Sequence, residues 1–536
     1  MGRSLADARM IPAVMPDSAD RPIVVGGGVA GLTAALALAE AGLRPLVLEA
    51  DPAGPGGRFA ARPAVAFERD GRAWRFPGEH GVHGLWQHYR NLRELLEHHG
   101  IHPPLVRAER QDWIYGRDRD VFRAEVGRRL QRAPLPAPFH YLALLANPRF
   151  LAMLGIGGIL RVPWVGITLL TMLAVDPMRE GESLAGRQVR ELLFGWPPQL
   201  HAFAAALSRS GLATGPGDAP LGGFIALYRF YSLLRKDSIG HDYIAGDPGE
   251  HVIAPMVAAI ERMGGRVASG IRATRLERTP AGAWQVEYQA PGTAACDRPP
   301  AGPLTSHQVI LAADAPGTQA LLQASPALGE GVSALRWPAG QASAVVRLWF
   351  SARPRDGGES GMFGGDFILD NFFWLHRLQP AFIEWSRATG GSAAEAHIYG
   401  PPQLLAGPDA ALLGMAVRDF SHAFPELQGT RVHAHLQRNP PTHTRFTIGT
   451  TRQHLGVETP WPGLFCCGDW VRDEAPALFL ERACVTGLKA AGAALRARGL
   501  PGPAVATYPR PEPVAALLEW LLRGVRRAMM AVLLRG

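Results

Sequence analysis

A chain of 536 residues is about three to four times the length of a typical domain, so more than one core and two or more intertwined domains are expected. Hydrophobic residues make up 47% and charged residues 19%, which excludes a disordered or collagen-like chain, and four cysteines without CxxC spacing (Cys296, Cys466, Cys467, Cys484) exclude a disulfide scaffold and point to a reduced, cytosolic compartment. The net charge is +8, and all but two of the 55 basic residues, Lys236 and Lys489, are arginines; they are scattered and adjoin apolar runs, which favours an anionic membrane surface and argues against nucleic acid as the partner.

In chain order, Met1 to Asp20 carries acids and prolines without the apolar core of a signal peptide and reads as a leader before the first strand. Residues 20–90 begin a dinucleotide-binding unit. Pro22 to Val25 is a short strand, Gly26-Gly27-Gly28-Val29-Ala30-Gly31 a glycine turn, and Leu32 to Ala41 an apolar helix closed by Gly42. A second strand, Pro45 to Leu48, delivers Glu49 eighteen positions after Gly31, where an acid accepts hydrogen bonds from a ribose. The three motif glycines do different things. Gly26 permits the tight turn, Gly28 lets the backbone approach a pyrophosphate, and Gly31 lets helix and strand pack closely. The helix N-terminus then offers free N–H groups to phosphate. A second cluster, Gly54-Pro55-Gly56-Gly57-Arg58, follows the acid directly, which a nicotinamide-dinucleotide domain does not need.

Next comes Gly78-Glu79-His80-Gly81-Val82-His83-Gly84, followed by His88, His98, His99 and His102. The six histidines lack HExxH spacing, and Glu94 and Glu97 sit on what reads as a solvated helix face, so no metal site is expected. Residues 91–245 read as a helical insertion facing substrate and membrane, with apolar runs at Tyr141 to Leu154 and Ile156 to Leu173; Arg161 and Pro163 break Phe150 to Val175 into pieces too short to span a bilayer. Residues 246–324 return to the dinucleotide domain, with a helix over His251 to Met263, alternating strands, and a buried strand at Val309 to Leu311. Residues 325–450 read as a substrate-domain sheet. Residues 451–500 complete the first domain, with a buried strand ending in Gly468-Asp469 and a helix over Pro476 to Ala494. Residues 511–536 place Leu517, Leu518, Leu521, Leu522, Val525 and Met529 at helical spacing, with Arg523, Arg526, Arg527 and Arg535 between them and Trp520 at the boundary: a basic amphipathic helix suited to a membrane surface.

The two glycine clusters and the distant Gly468-Asp469 pair resemble the two-dinucleotide-binding flavoproteins of the amine oxidase and phytoene desaturase superfamily. That resemblance implies an α/β fold: a Rossmann-type FAD domain with an interleaved α+β substrate domain carrying a helical cap. It implies FAD as cofactor, held by Gly26, Gly28, Gly31, Glu49, Gly56, Gly57, Arg58, Gly468 and Asp469, with Ile271 near the adenine. The stretch Gly78 to Leu92 is similar to the EHGxHGxxxxYxNL segment of carotenoid desaturases, most closely the β-carotene desaturase/methyltransferases of the isorenieratene synthase type. The run Ala477-Leu478-Phe479-Leu480-Glu481 departs from the aromatic amine cage of flavin amine oxidases, which favours a hydrophobic isoprenoid substrate. The resemblance thus implies a FAD-dependent desaturase of a carotenoid, possible end-ring aromatisation, a quinone or oxygen as electron acceptor, and His80 and His83 as candidates for proton handling near the flavin. A redox-neutral carotenoid isomerase using reduced FAD and a flavin amine or porphyrinogen oxidase are the alternatives. The protein is expected to be peripheral on the membrane, without crossing it.

Overall fold

The computed structural model describes residues 20–60, 64–291, 302–355, 357–446 and 454–533; the leader before residue 20, Cys296 and Arg535 lie outside them. Five three-residue strands form a parallel sheet in the order Arg266–Ala268, Leu46–Leu48, Ile23–Val25, Val309–Leu311 and Leu464–Cys466. Val24 pairs with Val47 on one side and Ile310 on the other, and Ile310 with Phe465. Four of these strands are buried throughout, as continuous apolar runs in a parallel sheet must be when helices cover both faces. The covering helix Val29–Glu40 packs on Phe479–Arg496, and the contact is close because Gly487 leaves room: a Cβ there would lie 2.5 Å from the Ala30 carbonyl oxygen. The sheet therefore knits three distant stretches of chain into one domain, and their loops gather at the carboxyl ends of the strands, where open α/β sheets bind ligands. Cys466, Cys467 and Cys484 are free and buried inside it.

A second sheet has seven strands, in the order Arg431–Thr444, Gly340–Phe350, Ser392–Ile398, Asn371–Phe373, Ser360–Gly365, Gln111–Arg117 and Asp120–Glu125. Its last two strands come from within 91–245, so the sheet draws on that interval as well as on 325–450. Gln111–Arg117 and Asp120–Glu125 form a hairpin whose turn places Asp118 at φ 56°, and the hairpin adds to Ser360–Gly365 in parallel register. Phe363, Phe372, Trp374, Phe420 and Phe424 fill the core on one side of this sheet.

Helices Pro148–Ile159, Val162–Leu173, Pro198–Leu212 and Leu221–Tyr228 make up the cap. Ile156 and Leu160 are among its most exposed side chains, at 81% and 74%; Trp164 and Ile167 are exposed just after them in sequence, and exposed Phe194 lies with its ring 6.3 Å from that of Trp164. Among the described residues, no single helix is long and apolar enough to cross a membrane.

The terminal helix Pro513–Leu533 runs against this cap. Leu518 and Leu522 pack on the core, while Trp520 (71% exposed), Val525 and Met529 face outward. Two of its basic residues, Arg523 and Arg526, are paired within the protein and so are not left for lipid. Arg523 pairs with Glu519 (2.6 Å) and Asp176 (3.2 Å), Arg526 pairs with Glu180, and Glu519 itself binds Arg229 at 2.6 Å. The helix is fastened to the protein by its charged positions and turns apolar ones outward.

Candidate active site

The glycine turn separates into positions the protein needs and one it does not. Gly26 has φ +114°, and a Cβ there would meet the Ala312 carbonyl at 2.7 Å; a Cβ on Gly31 would lie 2.0 Å from the Gly26 oxygen. A Cβ on Gly28 would meet no protein atom within 4 Å. Gly28 is also the N-cap of Val29–Glu40, with no side-chain cap, so the first helical N–H groups face the same open space. The second glycine cluster folds onto the first. Gly56 donates its N–H to the Gly27 oxygen (2.8 Å) at φ +122°, and a Cβ on Gly57 would lie 3.7 Å from the Gly28 Cα. Two bare backbones thus flank one cleft at the end of the first strand, and this cradle fits a pyrophosphate.

Glu49 stands beside it. Its Oε2 accepts the Gly27 N–H at 2.9 Å and its Oε1 the Asp51 N–H at 2.7 Å, leaving acceptor capacity on both oxygens for a ribose. Burial raises its pKa, and the same backbone donors oppose the rise. Ile271 donates its backbone N–H to the Glu49 carbonyl at 2.8 Å, while its side chain is packed in the core with Leu48 and Val309.

Gly468 and Asp469 arrive from the far end of the chain. Gly468 takes φ +152°, its N–H donates to Thr486 Oγ1 at 3.0 Å, and Asp469 Oδ2 pairs with Arg58 Nη2 at 2.5 Å across 411 residues of sequence. Asp469 lines a cavity of about 410 Å³ together with His443, Arg445, Phe479, Arg482 and Lys489.

His80 lies in the field of Arg58, His83, His443 and His397; burial first, then these cations, push its pKa down to about 3, and its Nε2 is buried with no hydrogen-bond partner. Of those neighbours Arg58 is the fixed cation and the largest influence after burial, and the His80 ring is neutral at pH 7 and cannot serve there as a proton donor from an imidazolium. His83 turns the other way, with Nδ1 3.3 Å from Glu79 Oε2 and its ring edge-on to Phe59 at 5.1 Å.

Sequence patterns alone miss the polar wall behind these histidines. Glu395, His397 and Tyr399 alternate along one strand and its exit, a period-two signal hidden among alanines. Glu395 sits between Arg347 Nε (2.8 Å) and His397 Nε2 (2.7 Å) and accepts the Val82 N–H at 2.8 Å; His397 Nδ1 meets the Tyr399 hydroxyl at 2.9 Å. Burial opposes charge on Glu395, but Arg347 and His397 outweigh it and hold the carboxyl down at about 2. His397 also explains Gly81, where a Cβ would lie 2.9 Å from the imidazole Cε1. Tyr399 is one ring from His443 (centroids 5.9 Å apart), and His443 stacks with Phe479 at 6.2 Å. Burial, followed by Arg58, lowers the His443 pKa to about 4. Phe479 lies three positions beyond Pro476, so the aromatic side chain taken from the sequence as missing from the amine cage is present and lines the cavity. Glu481, next to it in the same helix, serves packing: its carboxylate accepts both Asn91 and Leu92 backbone N–H groups and the Tyr508 hydroxyl, tying the end of the EHG stretch to the terminal helix of the first domain.

Residues 24–98 match the family of NAD(P)-binding Rossmann-like domains. Cyclohexylamine oxidase from Brevibacterium oxydans superposes with a TM-score of 0.62 over 90% of this chain and 99% of its own, at 14% identity. The chain shares its fold with that oxidase. Putrescine oxidase bound to putrescine (TM-score 0.61, 12% identity, 88% of this chain and 98% of that one) has the same fold. In sequence, the chain is 28% identical over 503 residues to a carotenoid phi-ring synthase of Streptomyces griseus, covering 91% of this chain and 90% of the relative. It is 22% identical over 599 aligned positions to a carotenoid phi-ring synthase of Chlorobaculum tepidum, covering 90% of each. The oxidoreductase class expected from the sequence accords with these relatives.

Proposed function

We propose that the protein is a FAD-dependent oxidoreductase that removes hydrogen from a carotenoid, with a ring-bearing end group as the position attacked. The reading is carried by the open cradle between Gly28 and Gly57, facing Asp469, in a chain that aligns over nine-tenths of its length with two carotenoid phi-ring synthases. Gly26, Gly28, Gly31, Gly56, Gly57 and Arg58 would hold the pyrophosphate and its surroundings, Glu49 a ribose, Gly468 and Asp469 the ribityl side, and the Ile271 main chain the adenine end. Bound FAD would supply a hydride acceptor, which is what hydrogen removal from an unactivated allylic carbon requires.

The chain's own groups suit such a substrate. A hydrocarbon needs a dry, positioned pocket and no strong nucleophile. His80 and His443 are neutral, so these two imidazoles place no positive charge against the cation that develops on the polyene as hydride leaves. Each pair of hydrogens removed also frees a proton, and the Tyr399, His397 and Glu395 chain is the hydrogen-bonded path beside the cavity that can take it. The electron acceptor is a quinone or oxygen.

The test is to express the protein in cells that accumulate a β-ring carotenoid and to resolve the extracted pigments by mass, beside an Asp469→Ala control. Pigments lighter by pairs of hydrogens, absent from the control, are expected. Products of unchanged mass with altered retention would instead establish the redox-neutral isomerase. The Phe479 and His443 pair favours a second reading, a flavin amine oxidase, which hydrogen peroxide formation with amines would reveal.

The substrate's solubility implies a peripheral membrane site, made of the outward side of Pro513–Leu533 and the exposed apolar residues of the cap. Truncation after Arg510, and the milder Trp520→Ser/Val525→Ser variant, which leaves Glu519 and Arg523 in place, are both expected to lose most co-sedimentation with anionic liposomes. Unchanged sedimentation of the double variant would remove this helix from the membrane site.

A further inference from the structure

Far from the cavity, two helix ends meet. Glu40 is the last residue of Val29–Glu40, His98 the last of Arg90–His98, and His99 the C-cap of the latter. His98 Nε2 lies 2.6 Å and His99 Nε2 3.6 Å from Glu40 Oε1, and one donor atom from each of the three falls within 4.8 Å of the other two. The His99 side chain is only 7% exposed, yet its Nε2 has no hydrogen-bond partner among the described residues. A buried imidazole nitrogen directed at a carboxylate without bonding it is a polar group awaiting a partner. The two rings stand edge to face at 5.1 Å, an arrangement that leaves both nitrogens free to converge.

We propose that Glu40, His98 and His99 form a binding site for a divalent first-row transition cation, with Zn²⁺ as the ion that best suits it. Two imidazoles and a carboxylate are borderline ligands of the kind such ions prefer, and three protein ligands leave one tetrahedral position for water. Bonds of about 2.0–2.2 Å place tetrahedral donor atoms roughly 3.3–3.6 Å apart, so the present spacing needs side-chain shifts on the order of an ångström. Metal binding takes the neutral imidazole, so the site is expected to bind more tightly as pH rises. Arg262, which also faces His99, is the unfavourable charge nearby. The ion would tie the C-terminal ends of two helices, one of which starts at Gly28; its role is that of a strut. Histidine spacing could not reveal it, because the third ligand is 58 residues from His98 and neither Glu94 nor Glu97 takes part.

The test uses untagged, metal-stripped full-length protein titrated with Zn²⁺ alone in competition with a chromophoric chelator. One Zn²⁺ per chain is expected, with at least tenfold weaker binding in Glu40→Gln and in His99→Ala and no change in His102→Ala. X-ray absorption of the loaded unmodified protein is expected to show two imidazole nitrogens at the metal, a readout that does not depend on how the variants fold. Equal affinity in all variants, or a metal shell without two imidazoles, overturns the site.

Discussion

Gly28→Val is expected to give a folded protein that retains no flavin. A Cβ at this position has no protein atom within 4 Å, so the added side chain meets no packing. Stripped of cofactor, the variant should lose only about 1 kcal/mol, the cost of a β-branched residue at the N-cap of Val29–Glu40. Flavin affinity should fall at least ~100-fold, roughly 2.7 kcal/mol, because the valine methyls occupy the path of the pyrophosphate and cover the N–H groups at the helix start. Gly26→Ala and Gly31→Ala are the contrasting controls. Their Cβ atoms would strike backbone at 2.7 and 2.0 Å, so both should destabilise the stripped protein itself. A yellow Gly28→Val protein would place the cofactor elsewhere.

Arg347→Met is expected to cost about 3–5 kcal/mol, the range for removing one partner of a buried ion pair. Arg347 is 1% exposed, donates to Glu395, Gln437 and the Glu79 carbonyl, and is the cation that most strongly holds Glu395 ionised. Without it, Glu395 is a carboxylate buried in a sheet with only His397 and the Val82 N–H beside it. The pH dependence has a definite sign. In the native protein the folded carboxyl, at about 2, lies below its ordinary value of 4.5, so its contribution is complete above pH 4.5 and is lost as pH falls towards 2. In the variant the carboxyl is no longer depressed in this way, so the stability gap between variant and wild type should narrow on acidification through that window. Thermal unfolding followed between pH 7 and pH 3 measures both effects; a gap that stays constant, or a cost below about 1 kcal/mol, would show that Arg347 is not the counter-charge. Pairing the substitution with Glu395→Gln should recover part of the loss, since the uncompensated charge is then gone.

What the sequence made legible was local. Each glycine of the first turn stands in a chain segment whose neighbours, a strand before and a helix after, announce the same turn, and in the structure a Cβ would strike backbone at Gly26 and Gly31 but meet open space at Gly28. Gly57 and Asp469 were found by resemblance, since nothing in their own neighbourhood says that one folds onto Gly28 and the other reaches Arg58. The hairpin at Gln111–Glu125 was hidden by the long apolar runs that follow it, which dominate any reading of that interval as helical. Glu395, His397 and Arg347 escaped for another reason. Their chemistry arises from pairing between strands far apart in the chain, where Arg347 lies opposite Glu395 in register, and spacing along one segment carries no trace of it. The terminal helix is legible only in part: an amphipathic pattern gives the faces of a helix, but that Arg523 and Arg526 turn towards the protein depends on partners, Asp176 and Glu180, that only the fold supplies.

The central claim is that this chain passes electrons from a carotenoid to a bound flavin, and the most direct measurement is anaerobic mixing of the purified flavoprotein with a β-ring carotenoid in liposomes. Loss of the oxidised-flavin absorbance in step with formation of a pigment lighter by two hydrogens is the predicted result. A flavin that stays oxidised while the carotenoid is bound, or while it changes only in geometry, would contradict it.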